Sequence, residues 1–144
     1  MSVAVDANVL LYASDATSRF HERAAETLRE LAERPELVYV FWPVVMAYLR
    51  IATHPAIFER PLSPRDAMAN VDRLLSRPHV RSPGEDEGFW SAYRSIGDST
   101  VVRGNLVPDA HVVALMHRYG VATIVSHDSD FRRFERIRVR DPFS

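Results

Sequence analysis

The most constraining feature is a short apolar run closed by a carboxylate, Val3-Ala4-Val5-Asp6, followed by Ala7-Asn8 and a second apolar run, Val9-Leu10-Leu11-Tyr12. The first run reads as a buried strand and the second as the start of a helix. A buried strand has no use for a charge at its end, so Asp6 needs a partner or a metal to offset its desolvation. At the carboxyl end of a parallel strand it also stands where open α/β sheets bind their ligands. The same logic recurs at Ala122-Thr123-Ile124-Val125-Ser126-His127-Asp128-Ser129-Asp130-Phe131, and a helix carrying Asp109 precedes that second strand. The fold is therefore expected to bring these acids together around a divalent metal.

Between the two motifs the chain alternates strand and helix signals. Ser18 reads as the cap of a helix with Phe20, Ala24, Leu28 and Leu31 at helical spacing, ending before Pro35. Leu37 to Phe41 is a β-branched and aromatic run, the second strand. Pro43 suits the first turn of a helix reaching about Thr53 and stopped by Pro55. Ser63-Pro64-Arg65-Asp66 supplies a cap, a first-turn proline and a first-turn acid for a helix that ends before Pro78. Val80 and Arg81 form a short third strand. Glu85, Asp86 and Glu87 are read as acids favouring the start of a helix carrying Phe89, Trp90, Tyr93 and Ile96. After a loop from Gly97 to Asn105, Pro108 opens a helix that runs through Tyr119 and stops at Gly120. The strand Ala122–Ser126, a helical piece around Phe131 to Phe134 and a last strand Ile137–Arg140 complete the chain. This alternation predicts one α/β domain over residues 1–144, three layers deep, with a mostly parallel central sheet.

Composition narrows the chemistry. There is no cysteine, which excludes disulfides, zinc-thiolate sites, iron–sulfur clusters and thiol catalysis. All 18 basic residues are arginine, and the lack of lysine removes P-loop NTPases, haloacid-dehalogenase-type phosphatases, receiver domains and Schiff-base enzymes. A net charge of −1 gives no global attraction for nucleic acid, so any such binding rests on local patches. No apolar run is long enough to span a bilayer and the N-terminus lacks a signal-peptide pattern, so no membrane partner and a cytoplasmic location are expected.

Asp6, Asp109, Asp128 and Asp130 remain as the candidates for chemistry. Carboxylates without His or Cys are hard oxygen ligands suited to Mg²⁺ or Mn²⁺. Packed together without a cation they repel, and one pKa rises. With metal they can activate a water and stabilise displacement at a phosphodiester. Plainer readings stand beside this one: Asp109 as an acid favouring a helix N-terminus, Asp128 and Asp130 as turn formers.

The three segments Val5-Asp6-Ala7-Asn8-Val9-Leu10-Leu11, Gly104-Asn105-Leu106-Val107-Pro108-Asp109-Ala110-His111 and Ser126-His127-Asp128-Ser129-Asp130-Phe131 together resemble the PIN-domain ribonucleases, most of all the VapC toxins of bacterial toxin–antitoxin pairs. The resemblance spans nearly the whole chain, with the motifs in order. It implies that Asp6, Asp109 and Asp128 are the metal-binding acids. Asn8, Ser126 and Asp130 match the supporting positions that orient ligands or water. It further implies cleavage of single-stranded or loop RNA such as tRNA or rRNA, inhibition by a VapB antitoxin, and a homodimer within a toxin–antitoxin assembly.

One position departs from the pattern. The family carries a Glu in the helix after the second strand, and Val44-Val45-Met46-Ala47-Tyr48-Leu49-Arg50 has Tyr48 there. The departure leaves the second metal site open, with Asp98 either a substitute or an exposed loop acid. The segment Leu49-Arg50-Ile51-Ala52-Thr53-His54-Pro55 is similar to a subgroup of these toxins that also lacks the Glu, so activity is expected. The alternative is a module that binds RNA or an antitoxin without turnover. A third reading is another carboxylate-metal nuclease on a ribonuclease-H-like or flap-nuclease-like fold, which strand order would distinguish.

Arg50 and His54 are candidate phosphate contacts, against readings as an ion pair and a helix-end residue. His111 is read as a buried, hydrogen-bonded histidine. Arg132, Arg133, Arg136, Arg138 and Arg140 either steer RNA or antitoxin or form a solvated face. Phe89, Trp90 and Tyr93 are base-stacking candidates or, more plainly, core or dimer interface.

Overall fold

The computed structural model describes residues 1–144. Its strands are β1 (Ser2–Val5), β2 (Leu37–Tyr39), β3 (Val80–Arg81), β4 (Thr123–Val125) and β5 (Arg138–Arg140). Its helices are α1 (Ala7–Ser14), α2 (His21–Glu33), α3 (Trp42–Ala52), α4 (Pro64–Leu75), α5 (Phe89–Ile96) and α6 (Leu106–Arg118), with a 3-10 helix at Ser129–Arg133. The sheet runs β3-β2-β1-β4-β5 and every pairing is parallel, so the expected mostly parallel sheet is wholly so.

Register and the period of two assign the layers. Val3 pairs with Val38, Val38 with Val80, and Val5 with Val125, so these side chains share one face. Val5, Val38 and Val80 meet Leu10 of α1, Leu28 and Leu31 of α2 and Leu74 of α4 around one groove. On the opposite face Tyr39 stacks on Phe41 and on Tyr119, the residue that ends α6, and α5 packs on α6. This is the three-layer α/β/α arrangement.

Topology then positions the ends of the strands. From β1 the chain moves outward to β2 and β3, then returns across the sheet to β4 and β5 on the other side of β1. The β1–β4 boundary is the point where strand order reverses, and its carboxyl edge is where such sheets leave a crevice. Asp6 follows β1 and Ser126 follows β4, both at this edge.

Several local expectations shift for identifiable reasons. Ser18 does not cap α2: its hydroxyl accepts from the Phe20 N–H at 3.1 Å, closing a turn, and the helix starts at His21. Pro108 lies in the first turn of α6 but does not open it; Leu106 does, and the missing proline N–H falls where no intrahelical partner is required. Glu85, Asp86 and Glu87 precede α5 as expected, and Asp86 Oδ1 accepts from the N–H of its N-cap residue Gly88 at 3.1 Å, although the first turn itself has no acid. Asp86 also pairs with Arg118 at 2.5 Å and Glu85 with His111 at 3.1 Å, tying the loop to α6. His111 is therefore hydrogen-bonded, as expected, but partly exposed rather than buried. Phe89 packs edge-on against its ring.

Tyr48 is 3% exposed, and its hydroxyl joins three helices: 2.8 Å to Ser14 at the end of α1 and 2.9 Å to Asn70 of α4. Removing it leaves two polar side chains without their shared partner. Tyr48→Phe is expected to lower unfolding free energy by about 1–2 kcal/mol in urea titration. An unchanged midpoint would show that the α1–α4 contact does not depend on this hydroxyl.

Candidate metal centre

The site begins with backbone geometry. The Asp6 N–H donates to Val125 O at 3.0 Å, continuing the β1–β4 ladder one residue beyond the strand. Asp6 then caps α1, one carboxylate oxygen accepting from the Ala7 N–H at 2.8 Å. Its other oxygen accepts from Ser126 Oγ at 2.7 Å and from Asn8 Nδ2 at 3.3 Å. Ser126 is fully buried, and its hydroxyl also accepts from the Asp128 N–H at 2.9 Å and from Asn8 Nδ2 at 3.2 Å. Asn8 Oδ1 in turn accepts from the His127 N–H at 3.3 Å. Asn8 and Ser126 thus hold the two strand ends in one arrangement.

Asp128 caps the 3-10 helix, Oδ1 accepting from the Asp130 N–H at 2.9 Å. Asp109 comes from the first turn of α6. One carboxylate oxygen from each of Asp109, Asp128 and Asp130 lies within 4.8 Å of the others. The sequence reading put Asp6, Asp109 and Asp128 on the metal and Asp130 in support. In the structure Asp130 joins the tightest set, while Asp6 stands beside it with both oxygens engaged by Ala7, Asn8 and Ser126.

Electrostatics report the crowding. Burial, then the charges of Asp128, Asp6 and Asp130, push the Asp109 carboxyl up to about 7. Asp6 is also held above its ordinary range, by burial first and by the charge of Asp128, although its bonds from Ser126 and Ala7 oppose the rise. No lysine or arginine forms an ion pair with any of these four acids. An all-carboxylate set that repels itself and lacks a cationic side chain fits a hard divalent cation.

The remaining candidates fall elsewhere. Arg50 is exposed on the last turn of α3 without an ion pair, and His54 Nδ1 accepts from the Ala56 N–H at 3.1 Å in the following turn. Neither is bonded to the acids. Asp98 is an exposed loop residue, and Tyr48 points into the α1–α4 contact, so neither adds to the cluster. Sequence reasoning missed the pair between His127 Nδ1 and Asp141, 3.0 Å apart. The His127 ring sits among Phe20, Phe143 and Tyr12, so the C-terminal segment braces the loop that carries Asp128. No spacing signals this pair, because β5 separates its members.

The family model described as PIN domain matches residues 3–137. This chain belongs to the PIN-domain family. Within it the chain is a VapC-type member: it is 51% identical to Ribonuclease VapC48 of Mycobacterium tuberculosis over 144 residues, covering 100% of this chain and 99% of that protein. Ribonuclease VapC43 of the same species is 36% identical over 138 residues, 96% of this chain and 93% of the relative. Among solved structures, VapBC2 from Rickettsia felis, bound to a promoter DNA fragment, shares the fold at TM-score 0.70 and 15% identity, covering 97% and 98% of the two chains. The sarcin-ricin loop cleaving toxin VapC20 of Mycobacterium tuberculosis does so at 0.66 and 21%, covering 95% and 99%. Membership of the PIN family, with the all-parallel strand order, answers the rival ribonuclease-H-like and flap-nuclease-like readings.

The raised Asp109 pKa has a definite sign in stability. Its folded value, about 7, lies above the ordinary aspartate value, so the folded PIN domain binds the extra proton. Stability in chelator is then greatest at acid pH and falls as pH rises from about 4 through 7. Asp109→Asn should remove most of that fall. Allowing for solvent screening at a half-exposed group, the variant should exceed the parent by about 1–2 kcal/mol at pH 8 and match it near pH 4. Urea titrations in chelator at the two pH values check this, and an unchanged pH slope would deny Asp109 the shared charge.

Proposed function

We propose that this PIN domain is the toxin of a type II toxin–antitoxin pair, a Mg²⁺- or Mn²⁺-dependent endoribonuclease that cuts single-stranded or loop RNA such as tRNA or rRNA. The observation that carries this reading is the convergence of Asp6, Asp109, Asp128 and Asp130 at the β1–β4 edge. The full-length similarity to proteins named VapC ribonucleases supports it.

In this reading Asp109, Asp128 and Asp130 hold the cation, with Asp6 completing its surroundings. The cation, when bound, supplies an activated water and neutralises the developing charge on the phosphate. Ser126 and Asn8 fix the Asp6 carboxylate and the Asp128 backbone, so the ligands need little reorganisation on binding. Ser126, the one serine bonded to these acids, is fully buried and its hydroxyl donates to Asp6, and the chain has no cysteine, so the attack on phosphorus falls to water.

The partner is a VapB-like antitoxin, the chemistry named in the related solved complexes. Supporting this is an open groove of about 530 Å³ beside α1, α2 and α4, lined by Leu10, Val38 and Val40. Arg29, Arg73 and Arg77 also line it, suiting a segment with apolar and acidic side chains. Trp42 and Met46, four apart on α3 and 39% and 53% exposed, supply an apolar surface for the homodimer. No helix is long and apolar enough to cross a membrane, and action in the cytoplasm fits an RNA substrate.

Tyr48 favours a second reading, a domain that binds RNA or antitoxin without turnover, because α3 contributes no carboxylate to the site. Cleavage of total cellular RNA by antitoxin-free protein separates the two. Discrete fragments with Mg²⁺ or Mn²⁺, none with EDTA, and at least about 100-fold slower cutting by Asp6→Asn or Asp109→Asn are expected. A folded parent that binds RNA yet never cuts it would establish the non-catalytic domain.

A further inference from the structure

The turn between α1 and α2 carries an arginine, Arg19, that is exposed and in no ion pair. The turn itself is fixed by its own bonds. The Ser18 N–H donates to Asp15 O at 3.0 Å and the His21 N–H to Ser18 O at 3.1 Å. The Asp15 carboxylate accepts from the Thr17 N–H at 3.0 Å and from the Thr17 hydroxyl at 2.6 Å.

The guanidinium is placed although nothing pairs with it. Arg19 Cζ lies over the Phe20 ring, 4.6 Å from its centroid. Centroid to centroid, Phe20 stands 5.1 Å from Tyr12, 4.7 Å from Phe143 and 4.9 Å from His127. All four rings are partly exposed. His127 immediately precedes Asp128, and its backbone N–H donates to Asn8 Oδ1 within the acid site. Direct ring contacts therefore join the guanidinium to the loop that carries Asp128 and Asp130.

The surroundings select a flat ligand over a charged one. Asp15 stands in the same turn, Glu22 in the first turn of α2, and Asp141 holds His127 Nδ1 at 3.0 Å. Together with the four acids of the metal site, they oppose an anion held by one arginine alone. A nucleobase carries no charge and needs only a face. Guanidinium planes and aromatic rings are the surfaces on which the unstacked bases of single-stranded RNA lie. An arginine already laid over a ring loses little freedom when a base covers its outer side. Lysine, a point charge without a plane, offers no such face.

We propose that Arg19, supported by Phe20, is a stacking platform for the base of a nucleotide flanking the cut, and so contributes to which RNA is accepted. The assignment to RNA rests on the ribonuclease reading; the platform stands on the contacts from Arg19 through Phe20 to His127.

The test compares Arg19→Lys, which keeps the charge, with Arg19→Ala, which removes it. Both change an exposed residue, so the fold is expected to be retained. Adenosine monophosphate titrated into the chelated parent should shift the Phe20 ring resonances saturably, and inorganic phosphate should not. This shift should be lost in both variants. Binding of a short single-stranded oligoadenylate in chelator should weaken about fivefold or more in both. In Arg19→Lys the slope of log affinity against log salt should keep the parent's value, because the charge is kept. Arg65→Ala, which removes an exposed arginine of α4, should have the smaller effect. Parental oligoadenylate affinity in Arg19→Lys would overturn stacking in favour of charge, as would an equal response to inorganic phosphate. Equal losses in Arg19→Ala and Arg65→Ala would overturn the site in favour of diffuse electrostatics. A response to adenosine monophosphate with oligoadenylate affinity unchanged in both variants would overturn the RNA assignment. Failure of the ribonuclease reading shows separately, as absence of metal-dependent cleavage by a parent protein whose Phe20 still responds to adenosine monophosphate.

Discussion

Four aspartates held at one edge of one sheet repel each other, and the structure around them is arranged to withstand that repulsion. Asp109 carries most of the strain, its carboxyl pushed up to about 7 by burial and by three neighbouring charges. Such a set is stable only if other interactions prevent the strand ends from separating, and the hydroxyl of Ser126 does much of this. It donates to Asp6 while accepting from the Asp128 backbone, so each strand end is bonded to the other through one buried atom. Asn8 repeats the connection through its amide, from the Asp6 side chain to the His127 backbone. The same crowding that destabilises the bare site is what would make cation binding favourable.

This arrangement depends on topology as much as on side chains. An order of β3-β2-β1-β4-β5 brings together strands far apart in the chain, and the strand-order reversal opens the crevice beside them. α6 then delivers Asp109 from the returning crossover, and the C-terminal segment adds a brace through Asp141 and Phe143 on His127. Tyr48 shows the opposite use of a family position. Where the resemblance implied a glutamate, this chain has a phenol that bonds α1 to α4, so the position serves packing.

Much of this was legible in the sequence because the signals were local. Apolar runs closed by Asp6 and Ser126, prolines at helix starts and Gly120 at a helix end each report backbone chemistry a few residues wide. Those signals placed the strands and named Asp6, Asp109, Asp128 and Asp130; Asn8 and Ser126 followed from the resemblance to the PIN-domain ribonucleases, and all six lie at the same edge. Where a side chain chose a distant partner, local reading failed. Asp86 turned also to Arg118 and His111 to Glu85, partners far off in the chain, whereas Ser18 departed for a local reason, its hydroxyl closing a turn onto the Phe20 N–H. The sequence by itself determined the acids, their order and the strand ends that carry them. Only the tertiary structure decided that Asp130 stands in the tightest set, that Tyr48 is turned away from it, and that Phe20 meets His127. Each of those outcomes depends on the distance between residues far apart in the chain, which composition and periodicity do not encode.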